Sequence, residues 1–221
     1  MEILKNIHRI DNIFYNNVYL ITEDTVVLID TGFRLNAKRI ITYIKNKTNK
    51  LDFIILTHYH PDHTGSVNII ANYFGITPFI HFFDIYHFKK IHPESSRIYK
   101  FLDYISLKYQ NSIRKFQTLQ EEYAFPVLGG LKVIYTPGHT PGSISLYSKT
   151  RKTLFTGDSL QVKRGHIRKP NPIFYCNPTL AEKSIKRLLG LQFNHLLPSD
   201  GEYIIDIKKP LKYEKRDKNK G

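Results

Sequence analysis

The chain has 221 residues, 41% hydrophobic and 24% charged, which is ordinary globular usage and enough for one domain with a sizeable core. Its formal net charge of +14 favours anionic partners. The lone Cys176 excludes an intramolecular disulfide, no apolar run approaches the roughly 20 residues of a membrane span, and the start lacks a signal-peptide pattern, so a cytoplasmic protein without membrane attachment is expected.

In chain order, apolar runs bounded by turn residues predict strands at VYLIT (18–22), TVVLID (25–30), DFIILT (52–57) and TPFIHF (77–82). Among them, Asn36 is placed to cap a helix from Ala37 in which Ile40, Ile41 and Ile44 recur at helical spacing. Thr64 to Phe74 reads as a second helix. Residues 83–123 lack turn signals after Pro93, and Ile98, Phe101, Leu102, Ile105 and Tyr109 keep a helical period. One or two long helices are expected there, as an insert that shapes a pocket. Four more strands follow at LKVIYT (131–136), SISLYS (143–148), KTLFTG (152–157) and HLLPS (195–199). A helix carrying Ile185, Leu188 and Leu189, capped by Thr179, precedes the last of them. The lysine-rich end, KKPLKYEKRDKNKG (208–221), reads as a flexible basic tail. The expected organisation is one layered α/β domain over 1–207, with a helical insert at about 83–123 and the tail after it.

The segment THYHPDH (57–63) crowds ligand-type side chains behind an apolar strand. An extended chain sends alternate side chains to one face, so His58 and His60 point together, while Asp62 and His63 fall in the turn opening the next helix. One short segment thus faces two neighbouring points, an arrangement suited to two metal ions. Further along, TPGHTPGS (136–143) presents His139, FTGDSL (155–160) presents Asp158, and LIDTG (28–32) presents Asp30. Each stands at the end of an apolar strand, where α/β folds gather their sites. His8, His81, His87, His92 and His195 read as ordinary core or surface residues.

With LIDTG, THYHPDH, TPGHTPGS, FTGD and, less closely, LLPSDG (196–201) in this order, the chain resembles the metallo-β-lactamase superfamily. The resemblance implies a four-layer αββα sandwich, two mixed sheets with outer helices, and metals at one edge of the sheets. Carried over position by position, it implies that His58, His60 and His139 hold one metal, that Asp62 and His63 hold a second, and that Asp158 bridges them. Asp30 would orient a ligand or the loop around it. Imidazole and carboxylate suit zinc, as one ion or two, with iron or manganese as alternatives. The resemblance also implies a hydroxide activated by the metals, with Asp62 as the catalytic residue that orients it and passes its proton to the leaving group. The family's usual last histidine is replaced by Asp200, so the second metal is either weak or absent, or held by Asp200 through oxygen, which favours harder metals.

The segment VKRGHIRKP (162–170), with Lys163, Arg164, Arg168 and Lys169, reads either as a solvated loop or as a rim in which Arg164 and Arg168 bind an anionic substrate. The leading expectation is a metal-dependent hydrolase of a small-molecule ester, thioester or lactone, similar to the glyoxalase-II-like and lactonase branches. β-Lactamase activity is not expected, because Asp158 stands where the zinc β-lactamases of this fold usually carry cysteine. A metal-dependent nuclease or phosphodiesterase suits the basic charge, but 159–199 is too short for the extra domain of one nuclease branch, so nucleic acid is not the favoured partner. A mononuclear iron sulfur dioxygenase needs only His58, His139 and Asp158 and stands as a further alternative. The sequence implies no oligomeric state.

Overall fold

The computed structural model describes residues 1–87 and 115–207, and the backbone of 213–214. Seven strands lie side by side in chain order as one sheet: β1 (Glu2–Leu4), β2 (Ile7–Arg9), β3 (Tyr19–Thr22), β4 (Val26–Ile29), β5 (Phe53–Ile55), β6 (Phe79–His81) and β7 (Gln117–Leu119). It is antiparallel as far as β4 and parallel from β4 to β7. The later strands are β8 (Ala124–Phe125), β9 (Leu131–Tyr135), β10 (Ile144–Ser148), β11 (Thr153–Gly157), β12 (Gln161–Lys163), β13 (His166–Arg168), β14 (His195–Pro198) and β15 (Tyr213–Glu214). Five of them form a second mixed sheet in the order β14-β11-β10-β9-β8, and β12, β13 and β15 form a small third one.

Period-two alternation decides which side each residue faces. Tyr19, Ile21, Val27, Ile29 and Ile55 from the first sheet meet Leu131, Val133, Leu146, Phe155 and Leu197 from the second in one buried cluster. Their neighbours Leu20, Val26, Leu28 and Ile54 point the other way, onto helices α1 (Ala37–Lys47) and α3 (Val67–Phe74) through Ile40, Ile44, Val67 and Ile70; the short α2 (Pro61–Thr64) lies between those two helices in the chain. On the far side, Ile134, Leu154 and Leu196 pack against Ile185 and Leu188; these lie on the last helix, which follows α4 (Phe82–His87) as α5 (Pro178–Leu189). Helix, sheet, sheet and helix stack in that order, as expected of the αββα sandwich.

The sheets are tied together at the edge where the histidine segments emerge. Ile144 N–H donates to Thr57 O across the gap at 2.9 Å, and Asn17 N–H donates to Ser199 O at 2.7 Å. Gly157, at φ +51°, closes the same edge: a Cβ there would lie 2.9 Å from Thr57 Cβ.

Several local expectations are corrected. Asn36 does not cap α1 with its side chain; its Oδ1 accepts from Phe14 N–H at 3.2 Å, and a 3-10 turn at Arg34–Asn36 leads into the helix. Thr179 does not cap α5, because Asn177 accepts from Leu180 N–H and Pro178 takes the first helical position. The helix expected from Thr64 to Phe74 is two helices, since Pro61 starts a short one and Gly65 and Ser66 separate it from the next. TPFIHF stops being a strand at His81, where α4 begins. Within the expected helical insert, Gln117–Leu119 is a strand parallel to β6; three residues with one buried side chain are too short for periodicity to announce. The helical stripe from Ile98 to Tyr109 lies outside the described residues, as does most of the basic tail, of which Tyr213–Glu214 pairs with β13.

Candidate metal centre

Each side chain of the centre is delivered by a strand end. Asp30 follows β4, His58 and His60 follow β5, Asp62 and His63 sit in α2, His139 lies in the turn from β9 to β10, and Asp158 follows β11. His58 Nε2, His60 Nδ1 and His139 Nε2 converge, with separations of 3.1, 2.9 and 3.2 Å. Two nitrogens bound to one tetrahedral ion at about 2.0–2.1 Å are about 3.3 Å apart, so the trio has the spacing of a ligand set. Asp158 Oδ2 lies 3.3 Å from His139 Nε2 and 3.9 Å from His58 Nε2. Its Oδ1 lies 3.4 Å from His63 Nε2, which is also 3.4 Å from Asp62 Oδ2.

Among the described residues, two groups keep their ligand atoms within 4.8 Å of one another: His58 with His60 and His139, and His58 with His63 and Asp158. His63 Nε2 and Asp158 Oδ1 are buried and accept or donate no hydrogen bond. Buried polar atoms are rarely left so unless a further group satisfies them. The donor set therefore fits a divalent cation.

The protonation of the His58, His60 and His139 trio agrees with that reading. Burial, and then the surrounding histidines, push His58 and His139 well below the ordinary imidazole value, and burial lowers His60 to about 4. All three are neutral near pH 7, the form that binds metal. Burial also opposes charge on His63, yet the carboxylates of Asp158, Asp62 and Asp30 outweigh it and hold His63 well above the ordinary value. Burial would raise Asp62, but the charge of the adjoining His63 brings it down to about 2. Asp158 is raised by burial and by the nearby Asp200.

Asp30 organises the rings from behind. Its Oδ2 lies 2.8 Å from His63 Nδ1 and accepts from Ser199 Oγ at 3.0 Å. Thr57 Oγ1 donates to the same carboxylate at 2.8 Å and lies 3.1 Å from His58 Nδ1. A hydroxyl has one proton; having given it to Asp30, it accepts from His58 Nδ1–H, which leaves the Nε2 lone pair aimed at the trio. Asp30 thus fixes His63 directly and His58 through Thr57.

The remaining sequence candidates are placed less centrally. Asp200 belongs to neither ligand group; its Oδ2 accepts from Gln161 Nε2 at 3.0 Å, and burial raises its pKa. Arg168 pairs in register with Gln161 at the base of the β12–β13 hairpin. Arg164 sits at the exposed tip, three residues on from Gln161, or about 10 Å at strand rise. Nothing in the sequence pattern singles out Tyr15. It sits at φ +80° with its ring 6.1 Å from Phe33, and burial and the charges of Asp200, Asp62 and Asp158 raise its phenol. The next residue, Asn16, donates to the Asp62 carbonyl.

A model of the metallo-beta-lactamase superfamily matches residues 11–194. A probable metallo-hydrolase of Bacillus subtilis, YflN, is 28% identical over 226 residues, covering 90% of this chain and 85% of that protein. Among solved structures, TTHA1623 in a di-iron-bound form has a TM-score of 0.65 at 24% identity, covering 86% of this chain and 89% of that one. TTHA1429, a metallo-beta-lactamase family protein of Thermus thermophilus, has a TM-score of 0.70 at 20% identity, covering 94% of this chain and 77% of that one. Likeness at these identities speaks to the fold.

Proposed function

The chain belongs to the metallo-β-lactamase superfamily and is a metal-dependent hydrolase, and from that premise we propose that it cleaves a small, anionic ester, thioester or lactone. The observation that carries the proposal is the convergence of three neutral imidazole nitrogens within 2.9–3.2 Å, with the Asp158 carboxylate beside them. A divalent cation held there supplies Lewis acidity and an acidified water. His58, His60 and His139 bind it as neutral donors, and Asp158 and His63 form the adjoining position. Asp62, ionised at neutral pH and 16% exposed, takes up a proton on the open side and delivers it to the leaving group. The raised phenol of Tyr15 stays protonated and donates a hydrogen bond to the substrate's carbonyl oxygen.

Zinc suits the histidine trio, and the di-iron form of TTHA1623 supports iron as the second choice. The two positions differ in donors: three imidazoles on one side, and His63 with carboxylates on the other. The first is the tighter. The net charge of +14 supports an anionic substrate, and the single cysteine supports a reducing compartment.

The test is elemental analysis of protein purified without added metal, followed by assays on a thioester, a lactone and a phosphodiester. One or more equivalents of zinc or iron with turnover of the thioester or lactone is expected. Preferential cleavage of the phosphodiester would transfer the protein to the nuclease and phosphodiesterase reading.

A further inference from the structure

Asp84 lies in the first turn of α4, three residues past the end of β6, and its side chain is 0% exposed. A carboxylate withdrawn from water that completely persists only where donors replace the water. Its Oδ2 accepts from Tyr59 N–H at 2.9 Å and from Thr140 Oγ1 at 2.9 Å, and its Oδ1 accepts from Gly142 N–H at 2.6 Å.

These donors come from two separate segments. Tyr59 stands between His58 and His60 at the end of the first sheet, and Thr140 and Gly142 follow His139 in the second. One carboxylate therefore holds the backbone of both segments that carry the converging imidazoles, which are 81 residues apart at His58 and His139. The approach is close enough to dictate a neighbour: a Cβ on Gly142 would lie 2.5 Å from Asp84 N and Oδ1. Asp30 reaches the ring of His63 and, through Thr57, that of His58; Asp84 holds main chain on both segments that carry the trio.

Resting on the metal-centre reading above, we propose that Asp84 is a positioning residue for the His58, His60 and His139 ligand set. It sets the gap between the two loops, and hence the nitrogen separations of 2.9–3.2 Å that suit one ion. Removing it leaves all three imidazoles present but lets the two loops drift apart.

The test uses the full chain stripped of metal and titrated with Co(II) against a chromophoric chelator, with the cobalt absorption bands as the record of geometry. Asp84→Asn is expected to weaken Co(II) binding by about 10–100-fold and to alter the bands. Thr140→Val, which deletes one donor and keeps the fold, is expected to shift both in the same direction by less. Asp84→Glu is expected to restore neither fully, since its longer arm cannot keep both loops at the same distance. Folded variants with lowered thermal midpoints but wild-type cobalt affinity and bands overturn the proposal and leave Asp84 a plain structural staple. Should Asp84→Asn fail to fold, an unchanged titration of Thr140→Val overturns it alone. Wild-type protein that binds Co(II) yet hydrolyses none of the candidate substrates defeats the proposed reaction while leaving this inference standing. Wild-type protein that binds no Co(II) overturns both.

Discussion

Along β11, Phe155 points between the sheets and rests edge-on against Tyr19 at 5.4 Å; three residues later, Asp158 lies 3.3 Å from His139. The strand middle and the strand end serve different requirements. In the middle, apolar side chains fill volume, and a substitution matters through the contacts and space it removes. At the end, each group matters through its charge, its tautomer and the direction of a lone pair. The difference teaches that a stable sandwich can carry an edge full of buried polar groups because the cost is confined to one rim. Substitutions in the two regions should therefore separate stability from metal binding.

The strongest way to break that separation lies in the middle. Phe155→Ala should lower unfolding free energy by about 3–5 kcal/mol, read by urea denaturation, with metal affinity of the folded fraction unchanged. A parallel fall in affinity would mean that the edge depends on core packing in detail.

Acid should act on the edge. In the metal-stripped protein His60 titrates at about 4 instead of the ordinary 6.5, because burial disfavours its charge. A depressed folded-state value means that its contribution is complete above pH 6.5 and is lost as pH falls from there towards 4. At about 1.4 kcal/mol per pH unit, His60 alone gives roughly 3 kcal/mol over that window. Thermal midpoints measured across it should fall, and His60→Asn should flatten the slope. A slope unchanged in that variant would remove His60 as the cause.

Asp30→Asn tests the support of the rings. It weakens the hold on His63 and the Thr57 relay to His58, so metal affinity in chelator competition should fall about 10–100-fold, or about 1.4–2.8 kcal/mol. The smallest effect belongs to the hairpin. Arg168→Glu should raise KM for an anionic ester by a few-fold, whereas Arg164→Glu, at the exposed tip, should cost less than about 1 kcal/mol. Equal effects would show that the rim acts through net charge rather than position.

Much of this is legible in the order of residues alone. The β-like runs at 18–30, 52–57, 131–136 and 143–157 declare themselves as short, near-continuous apolar stretches bounded by turn residues, the mark of strands buried on both faces. His58, His60, His139 and Asp158 stand out because ligand-type residues follow apolar strands. Other features gave little signal. Tyr15 feels the charge of the carboxylates from a loop position at positive φ, which no pattern of residue types encodes. Asp84 sits in a segment whose composition reads as helix, and its partners lie 25, 56 and 58 residues away. Asn36 and Thr179 have the residue types of caps, but Phe14 N–H takes the side chain of the first and Asn177 stands better placed than the second.

Where most strands run along the chain and which chemical types gather at their ends are local properties, so the sequence alone determined them. Which nitrogen of His58 faces its neighbours, how near His139 comes, and which backbone Asp84 and Asp30 hold depend on groups brought together across as many as 169 positions, as between Ser199 and Asp30. Only the packing of the two sheets decided those, because hydrogen-bond direction and lone-pair geometry exist only once distant segments have met.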